Sequence, residues 1–392
     1  GTYNVGNLSL GKGVVIKGDY DSARRQPTTI LRYVGEGGCV FSSRGTGTTE
    51  GLQGIAQVRI IPRPGRPAKE LLLFDLGQPG WNAAGSLLTA ERFFIFRVHA
   101  EFPLEDEKVY GAVKINARGR VLLAENRIRL WGFPARIVNK QWSMVRDNVF
   151  EFANKYYLDL SCRQLFRGNQ LLGHRIAGVT KKLHGYFTNP TSFMREGWPL
   201  EKVLCCDNLA TGIGGPINDG EPFAVEGNDD HRVFGRVTAV DGKTTRLSMD
   251  HAHKALEPGL QVAVVQGRGL GQLRSVVHYT VAGNELTVAL DRAWDIPPEP
   301  GSSRCLVTRQ ASDVIFYRNT FRDCKNSMML YGVGHDCVLA ENVSTNSLGI
   351  QLWAMGKVPG HTGSHVYFAS IRGNRLAGKA PMEIGNSFVG LF

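Results

Sequence analysis

The chain has 392 residues, 42% hydrophobic and 21% charged, which is enough apolar material for a large core and rules out a disordered chain. Lysine and arginine outnumber aspartate and glutamate by 46 to 35, spread along the chain rather than gathered in a block, which suits an acidic partner. No apolar run approaches the roughly 18 residues of a membrane span. No helix-turn-helix, zinc-finger or RNP-like pattern points to nucleic acid, so an acidic glycan is the expected partner.

The chain opens Gly1-Thr2-Tyr3-Asn4-Val5, with no Met and no basic-then-apolar leader, so a start inside a longer precursor or after a processed leader is expected, with a secreted or periplasmic location. Its seven cysteines, at 39, 162, 205, 206, 305, 324 and 337, show no CxxC spacing and are read as small buried hydrophobes.

From residue 121 a period appears. Val121 to Ile128, Val145 to Phe150 and Arg163 to Leu171 share one grammar, with Asn126, Asn148 and Asn169 stepping by 22 and 21 residues. Near the other end it returns around Asn319 and Asn342, 23 residues apart, and again at Asn374. Repeats of this length mean a solenoid. The segments alternate apolar and polar residues over five or six positions, which reads as short strands with one buried face. Equivalent strands one repeat apart are parallel neighbours, so the chain winds as a helix of strands. Asn tolerates left-handed backbone at a corner and its amide can bond the Asn of the next coil, so a ladder is expected.

The opening stretch, followed by Leu8-Ser-Leu-Gly-Lys-Gly-Val-Val-Ile16-Lys-Gly18, resembles the pectate-lyase-like superfamily of β-helix proteins over residues 1 to 230 and 310 to 392. The resemblance implies an all-β, right-handed parallel β-helix. Lyases, glycoside hydrolases, epimerases and viral tailspikes share that scaffold, so function has to come from the site.

The loop from His174 to Trp198 interleaves basic and aromatic residues and exceeds an ordinary connection. Lys182, Tyr186 and Trp198 are its candidates for binding an anionic chain, joined elsewhere by Tyr331 and Arg318 and by other aromatics such as Trp142, Phe187 and Trp353. Next, Asp219, Glu221, Glu226, Asp229 and Asp230, five carboxylates within twelve residues, run up to His231. Hydrolysis needs one protonated and one ionised carboxyl group, and Asp219, Glu221, Asp229 and Asp230 are the candidates, with His231 as a binding group. If the cluster lies on a strand, Asp219 and Glu221 share a face. The same carboxylates can hold Ca²⁺, with Asp219, Glu221 and Glu226 as ligands; otherwise no cofactor is expected. The resemblance implies Ca²⁺-assisted β-elimination in that case, with Lys or Arg as base, for which Arg274, Arg318 and Arg322 are candidates by position.

Residues 231 to 308 abandon the 22-residue grammar for longer alternating segments separated by turns such as Asp241-Gly242, and are expected to form an inserted antiparallel β module between the first part of the helix (1–230) and its last coils (309–392). The string Gly267-Arg-Gly-Leu-Gly-Gln272 has no βαβ context and is read as a turn, not a phosphate loop. Gly332-Val-Gly-His335 is similar to the Gly-His-Gly of polygalacturonase-like hydrolases, which implies a catalytic His335. Asp336 replaces the third glycine, however, and no Arg-Ile-Lys follows. The reading at this level is an enzyme cleaving an acidic polysaccharide, by hydrolysis or elimination. A non-catalytic, tailspike-like glycan-binding protein and a uronate epimerase stand as alternatives, and the oligomeric state is open.

Overall fold

The computed structural model describes the chain except residues 12, 44–48, 64–68, 77–89, 118, 140, 154–155, 160–162, 175–184, 188–200, 215–221, 227–230, 253–254, 257–258, 309–310, 332–333, 354–365, 379–381 and 386–392. The described residues hold strands and no helix. One coil shows the logic. Strand Arg120–Ala124 gives way to Arg127–Leu130, then to Phe133–Asn139, and the next coil resumes at Trp142–Arg146. Equivalent strands pair in parallel, Leu122 beside Met144 and Ile128 beside Phe150.

The result is a parallel β-helix with three faces. One is an eleven-stranded sheet, one a twelve-stranded sheet, and the third a seven-stranded sheet followed by a four-stranded one. Inside, alternate residues of every strand stack on their counterparts. Val121, Leu123, Ile128, Leu130, Ala135 and Ile137 are each at most 2% exposed, and such residues form one continuous core. Period-2 strands leave the other alternate residues facing outward, so each face of the solenoid carries its own outer rows.

The ladder is present and longer than the repeat suggests. Asn126, Asn148, Asn169, Asn208, Asn319, Asn342 and Asn374 are linked in turn, each side-chain amide donating to the next carbonyl oxygen at 2.8–3.1 Å. Each backbone N–H donates to that same oxygen. The left-handed position is not the Asn but the residue before it: Glu125, Asp147, Gly168, Asp207, Arg318, Glu341 and Gly373 have φ between 51° and 65°. Asn is used here for its bonding capacity, while its predecessor turns the corner. Asn208 has no neighbour at the repeat spacing, because it lies 39 residues after Asn169 and 111 before Asn319.

Residues 231–308 make a closed six-stranded barrel in which His231–Asp241, Thr244–Ala252, Glu285–Leu290, Leu273–Ala282, Gln261–Gln266 and Arg304–Thr308 pair in that order, antiparallel throughout. The barrel has a core of its own, around Val237, Leu247, Val262, Leu286, Cys305 and Val307. The last strand closes it by pairing with both His231–Asp241 and Gln261–Gln266, a role hidden in the sequence because Arg304–Thr308 does not alternate visibly. The glycine string is a turn, with Gly267, Gly269 and Gly271 at φ of 82°, 84° and 89°. Gln272 locks it, its side-chain oxygen accepting the N–H groups of Asp295 and Ile296. Arg274, a candidate base by position, is instead 3% exposed, donates to the Ala293 carbonyl, pairs with Asp295 at 2.9 Å and lies over the Trp294 ring. It is a structural residue of the barrel.

Burial pushes the Cys205 thiol up, and it pushes Cys305, Cys324 and Cys337 to about 12. Thiolate is the reactive form. Alkylation of the native protein at about pH 8 is therefore expected to spare these four and, among the described cysteines, to label partly exposed Cys39 first, read by peptide mass mapping. Rapid native labelling of Cys305 would contradict the packing.

Candidate functional site

Of the residues singled out from sequence, Asp219, Glu221, Asp229, Asp230, Lys182 and Trp198 lie outside the described residues. The described strand Phe223–Glu226 lies between the first two carboxylates and the last two in the chain. His231 opens the first barrel strand and pairs with Thr308. Tyr186 lies on Gly185–Phe187, in register with Tyr157. Glu226, Tyr331 and Trp353 fall in register on three neighbouring strands of the four-stranded sheet.

Arg318 is placed elsewhere. It sits at the left-handed corner between the other two faces, 51% exposed, with its guanidinium 2.9 Å from Asp207 and over the Tyr317 ring. Arg322 ends a strand of the eleven-stranded sheet. His335 joins the solenoid to the barrel. The Gln261 side-chain nitrogen stands 2.7 Å from Nε2, and Nδ1 stands 2.6 Å from the Asp336 carboxylate. Both ring nitrogens are engaged and the side chain is 13% exposed.

A constellation the sequence reading missed lies on the outer face of the seven-stranded sheet. Ser42, Asp75, Lys114, Arg136 and Asp159 occupy one register row on five consecutive strands. Neighbours in such a row are about 4.8 Å apart. Charged side chains on a solvated sheet face are ordinarily well exposed, yet Asp75 and Lys114 are 27% and 20% exposed. Leu73, Ala112 and Pro134, two positions earlier on the same strands and therefore on the same face, are buried. The outer face is thus covered along one side of the charged row, and the charges lie in a recess.

The Lys114 ammonium stands 3.6 Å from Asp75 Oδ1, and that oxygen is shielded from solvent without accepting a hydrogen bond. Beside the row, burial and then the charges of Asp75 and Glu70 push the Tyr110 phenol up, so it remains a proton donor at neutral pH. Two adjacent cations at strand spacing can together hold a carboxylate, by the ammonium as a point charge and by the guanidinium as a planar fork. The signal was present: Lys114 and Arg136 are single charges in apolar runs exactly one 22-residue period apart. Among the described residues no three His, Cys, Asp or Glu side chains converge on a point, and the carboxylates named for Ca²⁺ fall mostly outside them.

Fold and row together define an all-β protein, a parallel β-helix with a barrel inserted between coils and a recessed charged lane along one face. No family model matches the chain, and no curated protein does. Solved structures similar to it include two A-modules of Azotobacter vinelandii mannuronan C-5 epimerases. That of AlgE6 has a TM-score of 0.43 and 12% identity over 100% of this chain and 89% of its own; that of AlgE4 has 0.34 and 12% over 98% and 88%.

Proposed function

We propose that the protein is an enzyme that binds an acidic polysaccharide along the outer face of the seven-stranded sheet and removes a proton next to a sugar carboxylate. The observation that carries this is the recessed row Asp75, Lys114, Arg136. Lys114 and Arg136 neutralise the carboxylate, which acidifies the neighbouring C–H, and Asp75, in register beside Lys114 with its side chain 27% exposed, is the group that takes the proton. Paired-carboxylate hydrolysis fits this row poorly. Asp75 and Asp159 are three strand steps apart, about 14 Å at the usual strand spacing, whereas glycosidases hold their two carboxyl groups within about 9.5 Å. Such a substrate places the protein outside the cytoplasm.

The test is incubation with uronate-containing and neutral polysaccharides in deuterated buffer, with and without chelator. Reducing ends, ultraviolet absorbance and deuterium at the sugar carbon are the three readouts. Absorbance signals elimination, and deuterium without new chain ends signals epimerisation; both support proton abstraction. Reducing ends without absorbance or deuterium would refute it in favour of hydrolysis. A second reading, a glycan-binding protein without turnover, draws on Trp142, 42% exposed on strand Trp142–Arg146, since an exposed aromatic ring suits stacking on a sugar. Binding with silence in all three readouts would favour it.

A further inference from the structure

The eleven-stranded sheet carries a second basic constellation, on a different face of the solenoid from the lane. Arg59, His99 and Arg127 occupy one register row on the consecutive strands Val58–Pro62, His99–Glu101 and Arg127–Leu130. Their chain neighbours Val58, Ile60, Val98, Ala100 and Ile128 are buried, so period-2 alternation turns all three outward. Ile30 bounds the row on one side and Val149 on the other. One histidine thus stands between two arginines, each one strand step of about 4.8 Å away.

The next outward row, two residues further along the strands, is ordered as a solvated sheet requires. Glu101, Arg129 and Glu151 alternate in sign on three consecutive strands, and opposite charges side by side stabilise a sheet whereas like charges do not. Glu101 reaches back to Arg59 at 2.6 Å, and Glu151 lies 3.5 Å from both Arg127 and His174. On these four strands three guanidiniums therefore face two carboxylates, which leaves one positive charge over. In the first row, the place between Arg59 and Arg127 where alternation calls for an anion is held by His99.

Burial, and then the Arg127 charge, push the His99 pKa down; Glu101 opposes the shift and Arg59 adds to it. The ring is therefore neutral at neutral pH and keeps one N–H to donate. Both flanking arginines stay open to solvent beside their carboxylates, 38% exposed at Arg59 and 60% at Arg127.

We infer that Arg59, His99 and Arg127 form a binding site for a single carboxylate, separate from the lane of Lys114 and Arg136. The carboxylate accepts from the imidazole N–H and from the exposed guanidiniums, bonds of the charge-assisted kind. One negative charge matches the surplus of one, whereas a dianion exceeds it. The carboxylate belongs either to a uronate within a polysaccharide or to a free small acid, and chain length separates the two sources.

Histidine-ring NMR on the full chain tests the inference, with glucuronate, an oligouronate and inorganic phosphate as probes and His99→Gln to assign the signal. Glucuronate and the oligouronate should each shift the His99 ring resonances and raise its titration midpoint by about one pH unit, because a negative charge beside imidazole favours the protonated form. By linkage, affinity should rise as pH falls through that midpoint. Tighter binding of the oligouronate at equal uronate concentration assigns the polysaccharide as the source, and equal affinity assigns a free carboxylate. Arg59→Gln leaves only the exposed Glu101 without its partner, so the fold should survive while affinity falls about tenfold. Arg136→Ala should leave the His99 response as in the wild type, so this site stands or falls apart from the lane. Three results would overturn the inference: His99 signals unmoved by either uronate probe, full affinity retained in folded Arg59→Gln, or phosphate binding more tightly than glucuronate at neutral pH.

Discussion

Asn148→Ala is expected to destabilise the protein by roughly 3 kcal/mol or more, measured as a shift of the urea midpoint. Asn148, the second rung of the ladder, is fully buried with a rung on either side. Its amide nitrogen donates to the Leu123 carbonyl at 3.0 Å and to the Asn169 side chain at 2.8 Å. Its oxygen accepts both the backbone N–H and the side-chain amide of Asn126. Alanine leaves two donors of Asn126 and one carbonyl without partners in a dry interior, and each such group costs about 1–3 kcal/mol. Asn374, near the last coil, is only partly buried and donates to Leu339 at 2.8 Å. Asn374→Ala should therefore cost clearly less. Equal shifts for the two variants would mean that the ladder is not what joins the coils.

Lys114→Ala and Arg136→Ala are each expected to lower kcat/KM on the responsive polysaccharide by about a hundredfold, the typical loss when one preorganised charge partner is removed. Lys114→Ala also strips the shielded Asp75 oxygen of its counter-charge and should lower the melting transition, so turnover is compared at a temperature where both variants are folded. Asp75→Asn should reduce kcat more than it raises KM, because the amide keeps the shape but cannot take a proton. Arg318→Ala serves as the control. That residue binds Asp207 at a remote corner, and its loss should leave turnover unchanged. Full activity in the Lys114 and Arg136 variants would move the site off this row, toward the carboxylates around residue 226.

The alternation of Val121 to Ile128 and its return one period later sufficed to place strands, make them parallel and set their inward residues, because a buried sheet face writes itself into the chain with period two. The same spacing announced the ladder at Asn126, Asn148 and Asn169, since hydrogen bonding between coils repeats whenever the coil length does. Where coil length changes, the signal fails: Asn208 belongs to the ladder by position in space and by no spacing in the chain.

The chemistry followed the opposite course. Acidic density drew the reading to Asp219 through Asp230, a local property of the chain. Asp75, Lys114 and Arg136 are 39 and 22 residues apart and look like isolated charges in apolar strands. Parallel pairing alone sets them about 4.8 Å apart in one lane, and burial of Leu73 and Ala112 beside them makes that lane a recess. His335 likewise looked catalytic from its glycine-rich turn, and only the barrel, folded back onto the last coils, brings Gln261 to its ring. By itself, then, the sequence determined the strands, their buried faces and the repeat, all of which depend on neighbours a fixed number of residues away. The tertiary structure decided which outward side chains meet, because register between coils is set by packing and not by any order along the chain.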